Sequence, residues 1–428
     1  MRLGGRVSAA IEVLQEILDR RRPAAEALKD WGLAHRFAGS GDRAAIGNLV
    51  HDALRKKLST AYLMDDDSPS SLAFGALWRQ WGVSPKEMQE LFDGDRFAPE
   101  VPIEVLEAAA KRDFAFATPH VEADIPDWCA DLFEENFDDE WVMEASALSE
   151  RAPLDVRVNT LKADREKVRK QLAKFGAKPT VIARHGLRIL PGKGAERLPN
   201  IQAEPAFQKG WFEIQDEGSQ IVADLVYAQP GEQILDYCAG GGGKTLALSA
   251  SLDNKGQVHA WDADRNRLAP IFDRLKRAGT RNVQVHAADA DLSPLEGTMD
   301  RVLVDAPCTG SGTWRRNPDA KWRLQPSALE KRLEEQVAVL DAASRYVKPG
   351  GYLVYVTCSL FPQENEYQVY AFGDRHDDYE LLSAGEAWQD LFGFAKPQPW
   401  SGDMKCITLT PRATGTDGFF FAVMQRRV

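Results

Sequence analysis

The spacing of apolar residues changes twice along the chain. In the first third, Val7, Ile11, Leu14 and Leu18 recur at helical intervals, as do Ile46, Leu49, Val50, Ala53, Leu54 and Leu58. That spacing lines one face of a helix and predicts an all-α region over residues 1–145. Ser40-Gly-Asp42 supplies N-cap candidates for the second run, and Arg55-Lys56-Lys57 suits its C-terminus. Pro69, Pro85, Pro99 and Pro102 divide the remainder into short helices, with Trp78 and Trp81 expected in their core.

From Leu154 the period becomes two. Leu154-Asp-Val-Arg-Val-Asn159 alternates like a strand, and Thr160 is a candidate N-cap. Asp164 to Phe175 then reads as a helix with Val168, Leu172 and Phe175 on one face and Gly176 as its stop. Thr180–Ala183 and Leu187–Leu190 are expected as two further strands. Residues 146–225 therefore form a small α+β piece of ferredoxin or RNA-recognition type. Arg157, Lys162, Arg165, Lys167, Arg169, Lys170, Lys174 and Lys178 make it the most basic stretch, either a solvated face or a groove for phosphates.

Beyond residue 226 strands and helices alternate, which predicts a mostly parallel, doubly wound sheet over 226–428. The expected strands are Gln233–Tyr237, Gln257–Trp261, Val283–His286, Val302–Asp305 and Tyr352–Thr357, with Gly418–Val423 closing the sheet. Leu246–Leu252, Asn266–Ala278 and a long segment from Leu329 to Ser344 read as helices between them.

Composition narrows the setting. The 428 residues are 44% hydrophobic and 27% charged, as expected of a globular protein of two or three domains. No run is long enough to span a membrane and no secretory leader is visible. The five cysteines (129, 238, 308, 358 and 406) show neither a disulfide framework nor zinc spacing, so reduced thiols, no metal and a cytoplasmic setting are expected. A net charge of −11 argues against bulk affinity for nucleic acid. A local basic patch remains compatible with it, because screening confines exposed charges to roughly 8–10 Å.

The chemistry sits at the carboxyl ends of the strands, where open α/β sheets bind ligands. The first strand runs into Cys238-Ala-Gly-Gly-Gly-Gly-Lys-Thr245. A P-loop fits Gly243-Lys244-Thr245, with Asp305 as its second carboxylate, but its first glycine falls on Cys238. A dinucleotide site wants spaced glycines. S-adenosylmethionine fits better: the loop N–H groups can hold its carboxylate, Asp262 the ribose and Asp289 the adenine side. Two thiols, Cys308 and Cys358, then end neighbouring strands. Methylating C5 of a pyrimidine needs a thiolate at C6 to make C5 nucleophilic, so one of them can serve as the activated cysteine. Spacing alone does not decide which.

Taken together, Asp236-Tyr-Cys-Ala-Gly-Gly-Gly-Gly-Lys-Thr245, Asp305-Ala-Pro-Cys308, Arg315-Arg-Asn-Pro-Asp-Ala-Lys-Trp322, Thr357-Cys-Ser359 and Glu364-Asn-Glu366 resemble the RNA cytosine-C5 methyltransferases, within them the RsmB (Fmu/Sun) type that modifies small-subunit ribosomal RNA. Gly41-Asp-Arg-Ala-Ala-Ile-Gly-Asn-Leu-Val50 is similar to the NusB-type helical RNA-binding domain. The resemblance implies three parts: a NusB-like domain, a connecting α+β piece and a Rossmann-like methyltransferase domain. It makes Cys358 the nucleophile and Cys308 the group assisting release, whereas DNA cytosine methyltransferases use the Pro-Cys thiol for attack. It places Cys238, Ala239, Gly240, Gly241, Gly242, Gly243, Lys244, Asp262, Asp289 and Asp305 at the S-adenosylmethionine site, with S-adenosylhomocysteine as product, and brings Lys244 and Asp305 near the base. Gly241 stands where the family usually has proline. Arg315, Arg316, Lys321 and Arg323 are the expected RNA contacts, and a monomer acting on 16S ribosomal RNA is the expected form. The competing readings are a P-loop ATPase and a non-catalytic RNA-binding or assembly protein.

Overall fold

The computed structural model describes residues 1–428. They divide into two compact units: Met1–Ala152 with Pro191–Leu198 and Trp314–Leu324, and Pro153–Leu190 with Pro199–Thr313 and Gln325–Val428.

The first unit is helical. Leu3–Arg20, Ala24–Ala34, Ser40–Arg55, Lys57–Met64 and Pro69–Arg79 enclose a core that includes Val7, Leu14, Leu49, Leu54, Leu72 and Phe74. Ser40 opens the third of these helices rather than capping it: Gly39 precedes it, and the Asp42 carboxylate accepts the Gly39 N–H at 3.2 Å. The expected run to Leu58 breaks at Lys56 (φ −115°, ψ 44°), so Leu58 falls in a new helix that begins at Lys57. The segment Trp314–Leu324 belongs here because it finishes that third helix. The last carbonyls of a helix lack intrahelical donors. Trp322 Nε1 donates to the Leu54 carbonyl at 2.7 Å, and Lys321 Nζ to the Arg55 carbonyl at 2.9 Å. No helix of the chain is long and apolar enough to cross a membrane.

The second unit carries two sheets. The smaller pairs β1 (Leu154–Val158), β2 (Lys178–Pro179), β3 (Gly186–Ile189) and β4 (Phe212–Ile214) antiparallel in the order β2-β3-β1-β4. Val156 and Val158 face the helix Arg165–Leu172 through Val168 and Leu172. The alternate residues Asp155, Arg157 and Asn159 are also buried, on the other face. Asn159 Nδ2 there donates to the carbonyls of Gly210 and Ala278, both at 2.8 Å. Two expectations fail locally. The helix is capped by Asp164, whose carboxylate accepts from Lys167 N at 2.8 Å, and not by Thr160. Thr180–Ala183 is not a strand, because the Glu217 carboxylate takes the N–H groups of Ile182 and Ala183 at 2.8 and 3.0 Å.

The larger sheet runs β10-β12-β9-β8-β5-β6-β7, with β11 paired to β12. Its strands are β5 (Gln233–Asp236), β6 (Gln257–Ala260), β7 (Val283–Val285), β8 (Met299–Asp305), β9 (Val347–Thr357), β10 (Tyr379–Leu381), β11 (Ile407–Leu409) and β12 (Phe419–Arg426). Strands β5 to β9 are parallel, and β12 returns antiparallel to β9. The chain moves from β5 outward to β7, then crosses back to β8, so strand order reverses at β5. That is where doubly wound sheets open a ligand crevice. The helix after β5 begins at Gly243 rather than Leu246, and the one after β6 is broken at Pro270 into Arg265–Leu268 and Ile271–Ala278.

Candidate active site

The loop after β5 needs glycine at two positions, Gly240 (φ +47°) and Gly242 (φ +79°). A Cβ on Gly242 would also lie 2.5 Å from Ile271 Cγ1. Gly241 is outside the left-handed region, and its carbonyl accepts from Arg274 Nη1 at 2.6 Å. A guanidinium thus braces the position where proline was expected. Asp262, after β6, is 3% exposed. Its carboxylate accepts the N–H of Gly240 at 2.9 Å and of Asp264 at 2.8 Å, joining the two loops. Ala239 N donates to the Trp261 carbonyl at 2.9 Å. Asp289 stands on an exposed turn after β7. Burial, reinforced by Asp262 and Asp305, pushes the Cys238 thiol well up. Beneath the loop Asp236 is 1% exposed; burial raises its carboxyl to about 7, against the opposing hydrogen bond from Thr245 Oγ1 at 2.7 Å.

These groups suit S-adenosylmethionine chemically. The helix starting at Gly243 turns its first N–H groups toward the loop, which favours a carboxylate, and Asp262 and Asp289 are acceptors for hydroxyl or amino groups.

Lys244 Nζ donates to Asp305 Oδ2 at 2.7 Å and lies 5.2 Å from the centre of the Phe419 ring. Asp305 ends β8 opposite Val356 of β9. The two strand ends stay joined beyond the sheet: Ala306 N donates to the Val356 carbonyl at 2.8 Å, and Gly312 N to the Cys358 carbonyl at 2.9 Å. The result is that Cys308 Sγ and Cys358 Sγ stand 3.3 Å apart, both half-buried. The hydrogen bond with Cys358, then burial, pushes the Cys308 thiol well up, so it stays protonated.

A fully buried carboxylate holds this arrangement from behind. Glu364 accepts from Thr309 N at 2.8 Å and Gln336 Nε2 at 3.0 Å, and also from the hydroxyls of Thr309 and Ser359. Asn365 completes the clamp: its Oδ1 accepts from Thr357 Oγ1 at 2.6 Å and its Nδ2 donates to the Ser359 carbonyl at 3.0 Å. Glu364, Asn365 and Ser359 stand within the sequence motifs but without a role there, and Gln336 and Thr309 lie outside them. The signal was there in Thr357-Cys-Ser followed closely by Glu364-Asn, two polar clusters around one buried strand end.

The expected RNA contacts divide. Lys321 is 1% exposed and also donates to Ser149 Oγ at 3.0 Å; burial lowers its ammonium to about 7. Arg315 is 5% exposed. Arg316 and Arg323 are half-buried, and Arg323 pairs with Asp319 at 2.9 Å.

The order of the larger sheet, the glycine loop at its switch point and the acids ending β5, β6 and β8 define a Rossmann-like methyltransferase fold. Comparison with known proteins narrows this. The family profile of 16S rRNA methyltransferase RsmB/F matches residues 223–425, and that of the RsmF/B-like ferredoxin-like domain matches residues 125–192. The chain belongs to the RsmB/F methyltransferase family. A probable ribosomal RNA small subunit methyltransferase B from Synechocystis is 34% identical over 309 residues, 70% of this chain and 66% of the relative. The ribosomal RNA small subunit methyltransferase B of Escherichia coli is 32% identical over 71% of this chain and 66% of its own length. The chain thus spans just under two thirds of these relatives. Among solved structures, a methyltransferase homolog from Pyrococcus horikoshii aligns at 29% identity with a TM-score of 0.59, covering 72% of this chain and 97% of its own. PH0851 shares the fold over 100% of both chains, with a TM-score of 0.72 at 24% identity.

Proposed function

We propose that this protein transfers a methyl group from S-adenosylmethionine to C5 of a cytosine in RNA, with 16S ribosomal RNA as substrate, leaving S-adenosylhomocysteine. The observation that carries the reading is the meeting of two thiols beside a lysine–aspartate pair at the carboxyl ends of β8 and β9. A methyl transfer to an already nucleophilic atom needs no thiol at all. Two fit a reaction in which a carbon must first be activated and then released.

When bound, S-adenosylmethionine supplies an electrophilic methyl group; residues 238–244, Asp262, Asp289 and Asp305 hold it. Cys358, as thiolate, adds to C6 of the base, and the new carbon–sulfur bond makes C5 enamine-like. Asp305 receives the N3 and amino edge, oriented by Lys244. After C5 has gained its methyl, Cys308 assists departure: the C5 proton goes to a base, the C6–sulfur bond breaks, and Cys358 leaves as thiolate. Of the four basic residues near 315–323, Arg316 and Arg323 are the RNA contacts. Lys167 and Lys209, whose ammonium groups lie 3.9 and 5.3 Å from the centre of the Trp211 ring, add a cation–aromatic surface of the kind single strands use.

Incubating Cys308→Ala and Cys358→Ala with RNA and cofactor tests this. Cys308→Ala is expected to accumulate a denaturant-stable protein–RNA adduct and Cys358→Ala to form none. The reverse pattern overturns the role assignment. RNA binding by the unaltered protein without transfer of labelled methyl overturns the activity.

A further inference from the structure

A second polar cavity opens in the same unit, away from the thiols. It has a volume of about 350 Å³ and is lined by Arg157, Arg184, Gln220, Asp224, Tyr227 and Phe392, among others. Ala247, Ala250 and Ser251 form part of its wall, so it lies along the far end of the helix whose first residue, Gly243, follows the cofactor loop. At 1.5 Å per residue that helix places the two sites roughly 12 Å apart along its axis.

Two of its charged groups are left without hydrogen-bond partners at the cavity wall. Arg157 is 6% exposed, and its one side-chain hydrogen bond runs from Nε to Gln215 Oε1 at 2.6 Å, leaving both terminal nitrogens without an acceptor. Asp224 is half-buried and its carboxylate accepts no hydrogen bond, although it attracts Arg157 and Arg184 electrostatically. Buried polar groups are nearly always paired, and opposite charges facing one cavity without closing on each other leave room for a molecule between them. At the rim Tyr227 is 54% exposed and held in left-handed backbone (φ +57°), while Arg184 donates to the Leu391 carbonyl at 2.8 Å.

The missing ligand must offer acceptors to a guanidinium and donors to a carboxylate, together with a flat face for an aromatic ring. A phosphate alone is repelled by Asp224. Among the bases guanine satisfies both charges doubly: O6 and N7 accept from arginine, as they do in nucleic-acid recognition, and N1–H with the exocyclic amine donates to a carboxylate. Adenine and cytosine offer the carboxylate a single amino group. We propose that this cavity is a guanine-binding site, with Arg157 and Asp224 reading the base and Tyr227 stacking on the ring. The ligand is either a free guanine nucleotide or a guanine of an RNA strand. The site does not depend on the methyl-transfer reading.

Calorimetry on the full chain with GMP, AMP and CMP, without S-adenosylmethionine, is the direct test. GMP is expected to bind at least tenfold more tightly than AMP or CMP. Asp224→Asn, nearly isosteric, should erase that preference, and Tyr227→Ala, a surface change that keeps the fold, should weaken GMP at least threefold. Saturating S-adenosylmethionine should not displace GMP. Fluorescence anisotropy with UUGUU and UUAUU separates the sources: UUGUU binding tenfold tighter than GMP assigns the base to RNA, and GMP binding as tightly as UUGUU assigns a free nucleotide. Absence of guanine preference, a preference unchanged in Asp224→Asn and Tyr227→Ala, or displacement by S-adenosylmethionine overturns the proposal.

Discussion

Cys308 Sγ and Cys358 Sγ lie 3.3 Å apart, closer than two unbonded sulfurs sit unless they share a proton. The same proximity that lets one thiol attack while the other holds its hydrogen makes the pair vulnerable to oxidation. Two thiols losing two electrons and two protons to an added oxidant close a disulfide. Brief treatment with diamide is therefore expected to abolish methyl transfer, and dithiothreitol to restore it, with a mass change of two hydrogens that maps to the peptides carrying Cys308 and Cys358. Loss of activity without that cross-link would mean that another of the cysteines is the sensitive one.

Glu364 is the positioning residue behind this pair. It fixes Thr309 beside the first thiol and Ser359 beside the second, through four donors converging on one carboxylate. Glu364→Gln keeps the shape but turns an amide N–H₂ toward those donors. A buried donor left unmatched costs about 1–3 kcal/mol. A tenfold or larger fall in kcat with KM for RNA unchanged is expected, roughly 1.4 kcal/mol or more of lost transition-state positioning. An equal rise in KM, with kcat intact, would place Glu364 in substrate binding instead.

Lys321 reads in the sequence as an RNA contact, one cation in Arg315–Arg323, but in the structure it caps the helix Ser40–Arg55 through the Arg55 carbonyl. Lys321→Met should leave the slope of log affinity for RNA against log salt unchanged, whereas Arg323→Ala should reduce it by about 0.7–0.9, the value for one phosphate contact. A pH signature accompanies the burial. The folded protein binds the Lys321 proton with a pKa of about 7, lowered from 10.5 by burial. Between those values the unfolded chain carries the proton and the folded one does not, so Lys321 makes stability rise with pH from about 7 to 10.5. Urea titrations at pH 7 and 9.5 should show a smaller gain for Lys321→Met than for the unaltered protein.

Period and motif made much of this molecule legible. The central strands β8 and β9 carry continuous apolar runs, Val302–Val304 and Tyr352–Val356, because both faces are covered, and acids mark the strand ends at Asp236, Asp262 and Asp305. What stayed hidden depends on partners far away in sequence. Leu154–Val158 alternates as if one face were wet, yet Asp155, Arg157 and Asn159 are buried in polar contacts of their own. Thr180–Ala183 has strand composition, but Glu217 supplies its hydrogen bonds. The helix expected over Asn266–Ala278 is interrupted at Pro270, although its apolar face continues through the break. The thiols could be placed at adjacent strand ends from spacing, whereas their contact depends on the loops being laced beyond the strands.

Asp236 gives the last prediction. It is fully buried at the end of β5, with Thr245 Oγ1 donating to one oxygen and no partner for the other. Burial raises its carboxyl from 3.8 to about 7, with Asp305 and Asp262 pushing the same way and Lys244 opposing. Between pH 3.8 and 7 the folded state keeps this proton while the unfolded state has released it. The folded state thus binds more protons there, and stability falls as pH rises through that window, levelling above 7. At 1.36 kcal/mol per unit the full cost is on the order of a few kcal/mol. Asp236→Asn is neutral at every pH and cannot ionise, so its melting temperature should fall less between pH 5 and 8 than that of the unaltered protein, and at pH 8 the difference between the two should be shifted toward the variant relative to pH 5. Parallel melting curves across that range would show that Asp236 is already ionised in the fold and that its neighbours, Lys244 first among them, hold the charge.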